Sequence, residues 1–311
     1  MSVKPVRAIV LSGQVPTSEP SAAETELSRT EFERVRKLIY ARAGISLGPA
    51  KHSMVFSRLM RRLRALGLRG FKQYLDMLES EPDTANEWQE FVNALTTNLT
   101  SFFREQHHFP ILAEFAAKQA AQGPVRIWCS AASTGEEPYS LAITMLEAFR
   151  GKTPPVSILA TDIDTSVLAK AARGVYSDEV VARLDPGLLK RYFLRGRGDN
   201  AGFVTVRPEV RELVTFQPLN LLAPRWPFRA RFHAIFCRNV MIYFDKPTQN
   251  GVLRKLAEWL EPEGLLFAGH SENFGHARDL FEFQGRTVYR LARTNSTRSH
   301  GATSPVAASG R

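Results

Sequence analysis

Apolar residues recur along this chain at two periods, and the change from one to the other divides it. From Ser28 to Leu95 the spacing is helical. Phe32, Val35, Leu38 and Ile39 share one face of a helix that Ser28 or Thr30 can cap and Gly44 can end. Val55, Phe56, Leu59, Leu63 and Leu66 form the apolar side of a second helix over about 54–66, and helical segments follow at about 71–78 and 86–95. These predict a small all-α domain at 28–95, followed by a linker at 96–122 that carries a helix over 106–121.

From residue 123 short apolar runs alternate with helical stretches, the pattern of a mainly parallel sheet. Strands are predicted at Arg126, Ser157, Val214, Ala234 and Leu265, with an antiparallel pair near Phe281 and Thr287. Helices fall between them at Tyr139, Thr165 and Thr248. The run RGRGDNAGFVTV from Arg195 breaks the alternation, with turn chemistry followed by period-two spacing. It predicts a small β subdomain at about 195–212, inserted before the third core strand. The sheet domain then spans 123–293. The Ser-, Pro-, Thr- and Ala-rich ends, 1–27 and 294–311, read as disordered tails.

Candidate chemistry collects in four segments. RIWCSAASTGEEPYS, from Arg126, reads as a buried strand, a small-residue turn and a helix opening near Pro138. Its Glu136-Glu137 pair reads either as a solvated first turn complementing the helix dipole or, for one of the two, as a ligand contact. ILATDID, from Ile158, ends in two aspartates. One can cap the helix from Thr165, which leaves Asp162 to accept from ribose hydroxyls. AIFCRNVMIYFD places Arg238 and Asn239 at the carboxyl edge of a parallel strand, where open α/β sheets bind ligands. LTTNLTSFFRE, Leu95 to Glu105, taken alone reads as a capped helix start with Phe102 and Phe103 in the core. Strand, small turn, helix, strand and terminal carboxylate together predict an adenosine-containing cofactor.

Charge adds a partner and cysteine adds little. The net charge of +10 favours an anionic partner, and its excess is focused: seven Lys or Arg and no Asp or Glu lie between Lys51 and Lys72. Arg58, Arg61, Arg62 and Arg69 are expected to cluster opposite the apolar side of the second helix as a docking surface. Cys129 and Cys237 each lie in an apolar strand, as buried free thiols. No apolar run reaches the ~18–20 residues of a membrane span, and Ala8-Ile9-Val10-Leu11 is too short for a signal peptide. A cytoplasmic protein without membrane insertion is expected.

LTTNLTSFFRE, SAASTGEEPYS, DID, CRNVMIYFDK and LLFAGHSENF, in that order, closely resemble the signature stretches of the CheR family, the glutamate O-methyltransferases of chemotaxis receptors. The resemblance covers about 29–291. It implies an α/β, Rossmann-like methyltransferase sheet with a small N-terminal all-α domain and an inserted β subdomain. It implies S-adenosylmethionine as donor, S-adenosylhomocysteine as product, no metal, and glutamates on acidic cytoplasmic receptor helices as acceptors for a monomeric enzyme. Carried over by motif, cofactor contacts fall on Asn98, Thr100, Arg104, Glu137, Asp162, Asn220, Leu221, Arg238 and Asn239. Arg104 and Tyr243 are placed nearest the transferred methyl. The family's β subdomain can hold a receptor tail. His107-His108 is expected to be a helix start or surface pair rather than metal ligands, and His270 a structural residue. Two rivals stand beside this reading. A nucleic-acid methyltransferase suits the charge but lacks a D/N-P-P-Y/F segment, and neither cysteine follows a proline. A non-catalytic sensor of the donor or its product is the other.

Overall fold

A computed structural model describes residues 26–82, 85–150 and 153–293. The expected tails therefore lie outside the described residues, apart from positions 26 and 27. Helix α1, Arg29–Ala43, starts with a reciprocal capping box between Ser28 and Glu31 and stops at Gly44, whose φ of 67° is left-handed. Gly44 is also where the domains touch, since a Cβ there would fall 2.7 Å from the Leu222 side chain. Helices α2, His52–Leu66, α3, Phe71–Ser80, and α4, Asn86–Leu95, follow. Val35, Ile39, Leu59, Leu63, Tyr74 and Phe91 from all four helices form one buried cluster. Leu27 joins it at 2% exposed, so the packed chain begins one residue earlier than composition suggested.

Helix α5, His108–Ala120, leads to a seven-stranded sheet: β1 Val125–Cys129, β2 Val156–Asp162, β6 Val214–Pro218, β7 Phe232–Cys237, β8 Leu260–Ala268, β9 Phe281–Phe283 and β10 Val288–Leu291. The order is β6-β2-β1-β7-β8-β10-β9. The first five of that order run parallel, and β10 pairs antiparallel with β8 and β9. Helices α6, Glu136–Ala148, α7, Thr165–Arg173, and α11, Lys246–Trp259, are the crossovers. Ile127, Trp128 and Cys129 of β1 are fully buried, as a central strand covered on both faces must be.

The inserted β unit is larger than its sequence signal. It holds β3, Val175–Ser177, β4, Phe193–Arg195, and β5, Phe203–Val206, in the antiparallel order β3-β5-β4. Short helices α8, Asp178–Val181, α9, Pro186–Tyr192, and α10, Pro208–Arg211, fill its connections. The expected unit at about 195–212 takes in β5 and the last residue of β4, and β3 lies outside it. The Tyr176 hydroxyl donates to the Thr134 carbonyl at 2.8 Å, which fixes this unit to the turn after β1.

Candidate active site

The sheet order reverses at β1, with β2 and β6 on one side and β7 and β8 on the other. The carboxyl ends of β1 and β7 thus flank a switch-point crevice, where ligands bind in open α/β sheets. A cavity of about 370 Å³ lies there. All nine expected cofactor positions line it, from Asn98 and Thr100 through Asn239, and so does Tyr243. Ala43, Ile45, Leu47 and Met54 of the helical domain form a further wall. Sequence reasoning missed that wall, because no local pattern says which distant segment covers a sheet edge.

The two aspartates ending β2 differ in direction. Asp164 Oδ1 caps α7, accepting from Ser166 N at 2.9 Å and Val167 N at 3.2 Å. Its Oδ2 accepts from Asn98 Nδ2 at 2.8 Å and Thr96 Oγ1 at 2.7 Å. Asp162 lines the cavity, with Oδ2 on Ser133 N at 2.8 Å and Oδ1 on Asp164 N at 2.9 Å. Burial pushes its carboxyl up to about 6 against those two amide bonds.

Residues 96–107 form an irregular strap rather than a capped helix, with Phe103 and Glu105 at positive φ. Arg104 Nη1 donates to the Leu99 carbonyl at 3.0 Å, which holds the guanidinium within this strap. Beneath it lies Arg238, whose side chain is fully buried. Its Nη1 is 2.8 Å from Glu137 Oε2, and its Nη2 is 3.4 Å from Glu105 Oε2 and donates to the Arg104 carbonyl. Burial pushes Glu137 up, with Arg238 the chief opposing influence. Burial would also raise Glu105, yet hydrogen bonds from His270 and the Arg238 charge hold it near 2. Glu136 is buried as well, its carboxylate bonded to Thr134 Oγ1 at 2.7 Å, so neither acid forms a solvated first turn.

Three placements differ from simple expectation. Asn220 lines the cavity, but its amide donates to the Arg42 carbonyl at 2.7 Å, in the last turn of α1. Arg58 donates to the carbonyls of Ala94 and Thr96, and Arg62 pairs with Glu87 and Glu90 of α4. The stripe is therefore not four open cations. The acids answering Arg62 come from another helix, which a count along one segment cannot see. Arg61 and Arg69 are exposed. None of the four lines the cavity.

Glu105, which follows Arg104 directly and was not singled out in the sequence, lies off the cavity lining and against Arg238. It accepts from His270 N at 3.2 Å and lies 3.0 Å from His270 Nδ1, so His270 ties the strap to the end of β8. Ligating atoms of Glu105, His107 and His108 lie within 4.8 Å of one another. The Arg238 guanidinium supplies positive charge there, and His108 Nε2 faces the Arg286 carbonyl at 2.8 Å. Burial, reinforced by Arg238, lowers His108 to about 4.

The donor set fits an adenosyl sulfonium. Asp162 offers lone pairs to ribose hydroxyls, the turn Ser130 to Ser133 brings backbone close, and Ile163, Leu219 and Leu221 present apolar surface for a base. Ser130 Oγ is buried and unpartnered. Of the two carboxylates on the lining, Glu137 is paired with Arg238, whereas Asp162 accepts from backbone amides. Fold and site together define a nucleoside-cofactor enzyme of the open α/β type.

Family comparison names the class. Residues 30–96 match the "CheR methyltransferase, all-alpha domain" and residues 98–290 the "CheR methyltransferase, SAM binding domain". The chain is 54% identical to a chemotaxis protein methyltransferase of Klebsiella aerogenes, over 88% of this chain and 93% of that protein. It is 53% identical to chemotaxis protein methyltransferase 2 of Pseudomonas aeruginosa, over 89% of this chain and all of that one. Identity to the chemotaxis protein methyltransferase of Escherichia coli is 52%, over 86% and 92%. This chain belongs to the CheR methyltransferase family and is an S-adenosylmethionine-dependent methyltransferase.

Proposed function

We propose that the enzyme methylates glutamate side chains on the cytoplasmic helices of chemoreceptors, giving methyl esters in sensory adaptation. The carrying observation is one cavity that gathers Asp162, Arg238, Asn239, Arg104 and Tyr243 from three separated segments. Bound donor supplies an electrophilic methyl and its own leaving group. A glutamate with a reference pKa of about 4.3 is already ionised at neutral pH, so no general base is required. Held by Asp162, Arg238 and Asn239, the donor would give its methyl to a carboxylate oxygen as the C–S electron pair leaves with sulfur.

What the chain supplies is alignment and exclusion of water, for which attack geometry contributes ~7–11 kcal/mol. Arg104 and Tyr243 orient the acceptor without fully neutralising it, because carboxylate charge disappears as the ester forms. Leu99 and Ile242, 81% and 51% exposed on the cavity lining, give the mouth an apolar rim suited to a helix surface beside the target glutamate. Arg61, an exposed cation on α2, complements acidic receptor helices. The outer edges of β3 and β4, with Val175 and Leu194 exposed, offer pairing to an extended receptor tail.

The test is alkali-released volatile methanol after incubation with labelled donor and receptor membranes. Esters release it, whereas N-methyl groups persist. Label that enters tRNA or DNA instead favours the nucleic-acid rival. Donor binding with no transfer to any receptor favours a sensor.

A further inference from the structure

Strands β7 and β8 end side by side, and the turns leaving them pack together. Asn239 has a φ of 57°, and Val240, at −118° with ψ −34°, is right-handed. Opposite-handed neighbours turn successive N–H groups to one side and form an anion-binding concavity. The carboxylate of Glu272 fills it. Oε2 accepts from Asn239 N at 2.8 Å and Gly269 N at 2.6 Å. Oε1 accepts from Val240 N at 2.9 Å and Met241 N at 2.7 Å.

Glu272 is only 4% exposed, and a carboxylate so buried persists only where its lone pairs are met. Four peptide dipoles meet them. Packing is close enough that a Cβ on Gly269 would fall 2.3 Å from Asn239 Nδ2. The carbonyl side of the turn is held too: Gln249 Nε2 donates to Met241 O at 2.9 Å, and Ser46 N to Tyr243 O at 2.9 Å. Asn239, Val240, Ile242 and Tyr243 line the cavity, whereas Glu272 does not.

We infer that Glu272 is a positioning residue for methyl transfer, fixing the Asn239–Tyr243 turn and through it the Tyr243 ring. This rests on the methyl-transfer reading with Tyr243 near the acceptor. Glu272→Gln keeps the shape but turns an NH2 towards two peptide N–H groups. The resulting displacement of the turn, on the scale at which ~1 Å costs ~100-fold, should lower turnover at saturating donor and receptor about 10- to 100-fold.

A fall in activity alone could reflect general loosening, so a cycle with Tyr243→Ala in the full chain decides it. If Glu272 acts through the ring, Glu272→Gln costs much less turnover once the ring is gone, while losses in melting temperature remain additive. Glu272→Asp, which keeps the charge, is put through the same cycle and carries the test if the Gln variant does not fold. The inference is overturned by an equal loss with and without the ring, by a Glu272→Gln enzyme within about 2-fold of wild type, or by normal turnover of Tyr243→Ala. Wild-type enzyme inactive on every receptor would instead defeat the methyl-transfer reading, a distinguishable result.

Discussion

Arg238 is the point at which a single substitution should affect both folding and catalysis. Its fully buried guanidinium answers Glu137 at 2.8 Å and Glu105 at 3.4 Å. Arg238→Met retains much of the volume but leaves buried Glu137 without its cation and Glu105 with His270. Removing one partner of a buried pair costs about 3–5 kcal/mol, chiefly because the abandoned charge remains in low dielectric. For a chain with domains of this size that corresponds to a fall in melting temperature of about 6–20 °C. The loss should also depend on pH. Burial already raises Glu137, and without Arg238 its folded pKa rises further above the unfolded value. A carboxyl raised on folding is favourable below its unfolded pKa and loses that contribution as pH rises through the folded one. The variant's deficit should therefore be smallest near pH 5 and grow towards pH 8, and Glu137→Gln in the same chain should recover part of it. Thermal melts across that range are the assay. A deficit under 2 °C, or one independent of pH with no recovery from Glu137→Gln, would refute the reasoning.

Three further outcomes are expected. Asp162 has a carboxyl near 6, so donor affinity measured by calorimetry should weaken as pH falls through that value and it protonates, whereas Asp162→Asn should bind about 10-fold more weakly, the cost of about 1.4 kcal/mol, with little pH dependence. Leu99→Ser should raise the receptor KM about 5- to 30-fold while sparing donor affinity, since partial burial of one leucine is worth ~1–2 kcal/mol; an unchanged KM removes the apolar rim from docking. Arg61→Glu should raise the receptor KM in a salt-sensitive way with an unchanged melting temperature, whereas Arg62→Glu should lower the melting temperature through repulsion with Glu87 and Glu90, and equal behaviour of the two would contradict their different placements.

Local patterns carried much of the architecture. Helix periods, a cap at Ser28 or Thr30 and the apolar strands at Arg126, Ser157 and Ala234 depend on neighbours in sequence, so they were readable there. The cavity-lining positions were reached through family motifs together with the rule that ligands meet parallel strands at their carboxyl ends. What could not be read depends on distant segments meeting. The acids facing Arg62 belong to α4, the wall containing Ile45 and Met54 comes from another domain, and Glu272 has meaning only beside the backbone of Asn239. Strand β3 escaped because Val175–Ser177 lies about twenty residues before the run from Arg195 that carried the β signal and meets it only in the fold.

The most direct test of the whole account is a calorimetric titration of the full chain with S-adenosylhomocysteine. One molecule should bind per chain, with affinity reduced in Asp162→Asn. Absence of binding by folded wild-type protein, or identical binding by the variant, would contradict the assignment of this cavity.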